Sequence, residues 1–232
     1  MQSSQTGAAP EEERLFTAIP FAPDFGEFSE RVRLPAAADY RRQARELFAM
    51  AAARLRPKAL YRVCRVTKRK ENQVWLGGVC FESRLLSDLL EEGETVFPYL
   101  ATCGNEAGLP ASPDDLLAGY WLDTLKQMAL TAALEHLRAR VEEAHGAAHL
   151  ASLNPGSGEA NLWPLEQQAG LFSLFAGGEA RVGVQLTSSF LMVPNKSLSG
   201  LFFPGAEGFE ICRLCSRADC PRRRAPAGEH AS

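Results

Sequence analysis

The chain has 232 residues, which suits one large domain or two small ones sharing an interface. With 46% hydrophobic and 23% charged residues it can bury a core without disulfides, which excludes bulk disorder. A net charge of -3 excludes a general electrostatic nucleic-acid binder, and no apolar run approaches the roughly 20 residues needed to cross a bilayer.

Residues 1–14 are polar, small or acidic, and the composition predicts disorder there. The segment has neither a basic n-region nor an apolar h-region, so it does not read as a secretion signal. Together with six cysteines, this places the chain in a reducing compartment, the cytoplasm, where clustered thiols are more often metal ligands or redox groups than disulfides. Pro20, Pro23 and Pro35 set extended entry segments. Asp39 is the expected cap of a helix over Tyr40–Met50, with Leu47, Met50 and Leu55 near one face and Pro57 beyond its end.

Two strands are expected next, Ala59–Val66 and Gln73–Phe81, joined by the charged connection Thr67–Asn72. Leu60, Arg62, Cys64 and Val66 then share one face. A helix from Ser83 to Glu92 closes at Gly93, where glycine permits a left-handed stop. Thr95–Cys103 reads as a buried strand. The longest helix runs from Asp114 to Glu143, with a stripe of Leu117, Trp121, Leu125, Met128, Leu130, Leu134, Leu137 and Val141. Thirty residues span roughly 45 Å, enough to back the whole sheet.

A helix over Glu166–Phe175 follows, then a hairpin over Ser189–Phe203 that turns at Pro194-Asn195-Lys196. In its second strand Leu198, Gly200 and Phe202 face one way, and Ser197, Ser199, Leu201 and Phe203 the other. Gly200 inside a strand marks a bulge or a close neighbour. Helices interleaved with tight hairpins predict an α+β (mixed α/β) fold, a twisted and mainly antiparallel sheet backed by long helices. The organisation is a disordered 1–14, one domain over 15–207 and a Cys/Arg-rich tail over 208–232. No nucleotide-binding glycine fingerprint, Gly-x-Ser-x-Gly or His-Glu-x-x-His is present.

Leu153-Asn154-Pro155-Gly156-Ser157-Gly158-Glu159 is either an ordinary turn or a loop whose backbone amides approach a ligand closely. Glu159 reads as a solvated loop residue. In order and spacing, this loop, Leu165-Glu166-Gln167-Gln168, Leu186–Pro194 and Ser197-Leu198-Ser199-Gly200 resemble the activation domain of cobalamin-dependent methionine synthase. Tyr99–Gly104 and Trp121-Leu122-Asp123 fit the same family more loosely.

The resemblance implies a helmet-like α/β domain. It also implies a role in returning inert cob(II)alamin to activity. An electron comes from a flavodoxin or ferredoxin-like donor, and S-adenosylmethionine supplies the methyl group. Catalysis of that kind is positioning and needs no acid or base from the domain. The family's cofactor ligands map onto Asn154, Pro155, Gly156, Ser157, Phe202 and Phe203. The sequence departs from the pattern at Ser152 and Ser157, where the family has an arginine and a tyrosine. The cation that pairs with the methionine carboxylate and one aromatic wall are therefore absent.

Cys212, Cys215 and Cys220 form Cys-x2-Cys-x4-Cys, a spacing that can clasp one metal. Closed zinc and iron–sulfur sites want four ligands, and Cys103, before Gly104, is the candidate fourth. The tail reads first as a metal site, with a thiol redox pair or inert cysteines as the alternatives. Cys64 and Cys80 read as buried thiols, and Arg222-Arg223-Arg224 as a solvated basic end or a contact for an acidic partner. His136, His145 and His149 have no matching motif and are expected in surface or capping roles. Two functions follow: an accessory protein for reactivation and remethylation of a partner's corrinoid, or a metal-stabilised binding or scaffold subunit on the same fold.

Overall fold

The computed structural model describes residues 12–104, 115–157, 162–205, 219 and 225–226. In chain order the elements are β1 (Glu13–Phe16), α1 (Phe25–Arg31), α2 (Ala38–Arg54), β2 (Lys58–Arg62), β3 (Cys64–Lys70), β4 (Gln73–Leu76) and β5 (Val79–Glu82). Next come α3 (Arg84–Leu89), β6 (Thr95–Thr102), α4 (Leu116–His145) and β7 (Leu150–Leu153). A 3-10 turn at Leu165–Gln167 leads into α5 (Gln168–Ser173), α6 (Gly178–Val182), β8 (Gln185–Leu186), β9 (Met192–Val193) and β10 (Ser197–Pro204).

Strand β6 organises the main sheet. Every residue after Thr95 is buried, because apolar side chains on both of its faces meet a core. Phe97, Tyr99 and Ala101 face the core built with α1, α2 and α4, while Val96 and Leu100 face a second core containing Trp163, Leu171, Phe175 and Val182. One edge of β6 pairs with β10; the other pairs with β2 and then β3. β1 extends the sheet beyond β2, and β7 beyond β10. Every strand pair among the described residues is antiparallel, and the long helices back the sheet, so the fold is the mixed α/β class expected.

Several boundaries differ from the sequence expectation, each for a physical reason. Glu13 and Arg14 are not disordered: they pair with Arg62 and Tyr61. The run Ala59–Val66 breaks at Val63, whose amide donates to the Glu12 carbonyl at 2.8 Å. There the path along β6 passes from a β1 neighbour to a β4 neighbour, and Leu60, Cys64 and Val66 still share one core. Gln73–Phe81 is two strands, because Gly77 (φ +52°) and Gly78 (φ +82°) form a tight hairpin turn. Much of the expected connection Thr67–Asn72 is itself strand. Helix α2 begins at Ala38 with no side-chain cap; Asp39 lies in its first turn and pairs with Arg42 at 3.1 Å. Helix α3 stops at Leu89, and α5 at Ser173.

The hairpin Ser189–Phe203 does not form. β9 pairs with β8, and the reversal lies at Thr187–Leu191, where the Thr187 hydroxyl accepts from the Leu191 amide at 3.0 Å. Lys196 is held to Asp123 of α4 at 2.9 Å, and its carbonyl accepts from the Cys103 amide at 2.9 Å. The segment before β10 is therefore anchored between α4 and the end of β6. Asp115 caps α4 through the Ala118 amide at 2.9 Å, and Gly146 ends it in the left-handed region. Leu117 and Leu134 fall outside the fully buried part of the α4 stripe.

His136 and His145 on α4 brace strand β1 and its neighbours. Phe16 meets the His136 ring edge-on at 5.5 Å, and the His145 ring lies 4.6 Å from Phe97 with its Nε2 3.1 Å from the Tyr61 hydroxyl. Desolvation lowers both histidine pKa values from 6.5, helped by Arg140 at His136 and Arg14 at His145. A lowered pKa means that the unfolded chain binds more protons in the window just below 6.5, so this part of the stability is full above 6.5 and is lost as pH falls through the folded values. Thermal unfolding followed over pH 5–7, roughly the histidine range, is expected to show Tm falling with acidification. The slope flattens in His136→Gln/His145→Gln, and an unchanged slope contradicts the assignment.

Candidate functional site

Strand β7 carries the chain into Asn154-Pro155-Gly156 beside β10, with Ser152 opposite Phe202 and Ala151 opposite Phe203. The Ser152 hydroxyl lies 3.0 Å from the Tyr99 hydroxyl. Asn154 Nδ2 donates to the Tyr99 hydroxyl at 2.6 Å and to the Ser199 carbonyl at 2.7 Å. Gly200 makes this reach possible: a Cβ there would sit 2.3 Å from Asn154 Nδ2 and 2.5 Å from the Leu153 carbonyl oxygen. The close neighbour expected at Gly200 is therefore the Asn154 side chain. The Tyr99 ring stacks on Phe202 at 4.1 Å, and the Arg138 guanidinium stands 5.0 Å from the Phe202 centroid.

The loop turns inward. The Gly156 amide donates to the Trp163 carbonyl at 2.8 Å and the Ser157 amide to the Asn154 carbonyl at 3.1 Å. Gly156 adopts φ +74°, and a Cβ there would meet Leu165 Cδ1 at 3.0 Å. Its glycine thus serves the turn and the packing of Leu165. Ser199 Oγ and Trp163 Nε1, both buried beside this loop, have no hydrogen-bond partner among the described residues.

Of the sequence-predicted ligands, Asn154 and Phe202 come together through Tyr99. Phe203 does not join them: strand alternation sends Phe202 into the α4-side core and Phe203 into the other, each about 2% exposed. The two phenylalanines form no common apolar wall. Ser152 brings no charge, and the Gly156 and Ser157 amides are engaged internally, with the Trp163 and Asn154 carbonyls. Tyr99 and Arg138 are the members that sequence reasoning did not single out; the signal for Tyr99 was a hydroxyl on an otherwise apolar buried strand.

Cys212, Cys215, Cys220, Glu159 and Arg222-Arg223-Arg224 lie outside the described residues. Cys103 is fully buried on the α4 side, its Sγ 3.6 Å from the Gly104 carbonyl oxygen. Among the described residues no three His, Cys, Asp or Glu side chains converge as a metal site. Cys64 is buried as expected, but Cys80 is exposed, because β5 alternates and Cys80 points away from the core that holds Phe81. No helix of the described residues is long and apolar enough to cross a membrane.

The fold defines the class: an α/β domain of antiparallel strands with a long helix behind the central strand. No family model and no curated protein matches the sequence. Among solved structures, the crystal structure of the MetH reactivation domain bound to AdoHcy has this fold, with a TM-score of 0.56 and 15% identity, over 90% of this chain and 85% of that one.

The Asn154 contacts generate a direct expectation. Asn154→Ala removes two hydrogen bonds at once and should cost about 1–3 kcal/mol, against about 1 kcal/mol for Ser152→Ala. Urea midpoints at unchanged m-value measure both. Gly200→Ala should be at least as damaging as Asn154→Ala, since its Cβ must displace Asn154 and main chain together. Equal stability of Asn154→Ala and the parent would refute the lock.

Proposed function

We propose that the chain is an accessory protein for a cobalamin-dependent methionine synthase or a related corrinoid methyltransferase, acting while the partner's corrinoid is reductively reactivated and remethylated. The observation that supports this reading is the architecture shared with the solved MetH reactivation domain over nine-tenths of the chain. The order of the Asn154-Pro155-Gly156 loop after β7 and of Ser197-Leu198-Ser199-Gly200 in β10 supports it further. Such a role requires binding, orientation and exclusion of water from this chain rather than proton transfer. Its site presents Ser152, Asn154, Tyr99 and Arg138, groups able to bind and orient. The electron source in this reading is a flavodoxin or ferredoxin-like donor, and the setting is the cytoplasm.

The AdoHcy in the solved neighbour makes an S-adenosylmethionine-like ligand the molecule to test. One observation favours the second reading, a binding or scaffold subunit without cofactor turnover: the loop amides are already satisfied by Trp163 and Asn154. In the accessory reading, purified chain added to a corrinoid methyltransferase inactivated as cob(II)alamin speeds its recovery. Titration calorimetry with S-adenosylmethionine and S-adenosylhomocysteine separates the readings. Partner binding without cofactor heat supports the scaffold, and absence of both partner binding and recovery removes the corrinoid role.

The tail cysteines carry a separate proposal, a zinc or iron–sulfur site on Cys212, Cys215 and Cys220 with Cys103 as a fourth ligand. Anaerobically purified protein should contain metal, lost in Cys212→Ser/Cys215→Ser. A visible absorption band marks a cluster and a colourless metal-bearing chain marks zinc. Metal-free protein overturns the proposal.

A further inference from the structure

Beyond its first two residues, β3 leaves β6 and continues with β4 and β5 as a three-stranded ribbon at the end of the sheet. The inner face of the ribbon holds Val66, Val74, Leu76 and Phe81 against the second core. The register slips between Val66 and Lys68, a bulge at Thr67. Without it, Lys68 would share the inner face with Val66. With it, Lys68 lies opposite Trp75, and Lys70 opposite Gln73, on the outer face. Arg69 instead turns inward and donates to the Ser87 carbonyl at 3.0 Å.

The bulge therefore gathers Lys68 and Lys70 around one half-buried indole, with their ammonium groups 5.0 and 5.9 Å from the Trp75 ring. Such contacts hold flexible lysines over an aromatic platform and reduce the ordering cost of engaging a carboxylate. Arg65 and Cys80 are exposed on the same face, where Glu82 is the carboxylate. Along one rim Arg69, Lys70 and Arg84 enter a concavity of about 410 Å³ with Glu71, Ser87 and Asp88. In that concavity Arg84 is paired with Asp88 at 3.6 Å, so the excess of cations lies on the outer face, where Arg65, Lys68 and Lys70 stand against Glu82, in a chain whose net charge is -3.

The geometry points to the outer face of β3–β4–β5 as a docking surface for an acidic protein segment, with Lys68 and Lys70 as the charge contacts and Trp75 as the platform that holds them in place. A carboxylate-bearing protein fits better than a nucleic acid. Lys68 and Lys70 are two point charges on one short ribbon rather than a stripe that tracks a phosphate backbone, and their ammonium groups lie over the ring on which a base would stack. The inference is independent of the corrinoid reading.

The full chain titrated at low salt with a short oligoglutamate peptide tests it. Trp121 and Trp163 are buried at 2% and 1% exposure, so the accessible indole emission reports on Trp75. Backbone amide shifts should concentrate in residues 66–82. Lys68→Glu/Lys70→Glu should weaken binding about tenfold or more, and added salt should weaken it further. Arg41→Glu/Arg42→Glu, the same charge change on exposed α2, should stay within about twofold. Lys68→Gln/Lys70→Gln, with an unchanged circular dichroism spectrum, guards against a folding defect and should also lose affinity. Equal losses in the β3 and α2 reversals, shifts spread over other elements, or tighter binding of a single-stranded oligothymidylate than of oligoglutamate would each overturn the proposal.

Discussion

Burial of β6 on both faces, with hydrogen bonding along both edges, is the constraint on which the rest of the structure depends. A strand in that position must alternate apolar side chains into two cores, and each core needs its own cover. Helices α1, α2 and α4 supply one cover; α5, α6 and Trp163 contribute to the other. β10 is caught by the same requirement. Its Leu198 and Phe202 belong to the first core and its Leu201 and Phe203 to the second, so it pairs with β6 rather than folding back on β9. Two-sided burial outweighs the local convenience of a hairpin.

The polar cluster at Tyr99 is where the two-layer scheme is interrupted for a reason. A tyrosine hydroxyl placed on a central strand must be satisfied, and Ser152 from β7 and Asn154 from the following loop both reach it. Gly200 leaves the space for that arrangement. The cluster ties β6, β7, β10 and the loop into one unit, whose polar groups are engaged with one another.

Much of this was legible in the sequence. The 3.6-residue stripe on α4, the apolar run of β6 and the alternation in β10 are strong signals, because each repeats many times along a long element. The missed features are those decided by contacts between distant segments. At Val63 the strand changes neighbours, from β1 through Glu12 to β4, and β9 pairs with β8 while Lys196 is held at Asp123 of the distant α4. At the site, the position of Gly200 announced a close neighbour, but nothing local named the distant Asn154 as that neighbour. The hairpin at Gly77-Gly78 was readable from its two glycines and was hidden only by the continuous apolar run around them.

The inward turn of the Asn154 loop also has a thermodynamic side. The Gly156–Trp163 bond and the two Asn154 bonds together hold the loop by roughly 3 kcal/mol, at about 1 kcal/mol for each net hydrogen bond. Any ligand that needs those groups meets a protein whose receptive conformer is about one molecule in a hundred or fewer, and its apparent affinity falls by the same factor. A partner surface that held the loop open would remove that handicap, so affinity for such a ligand would be a property of the complex rather than of the isolated chain.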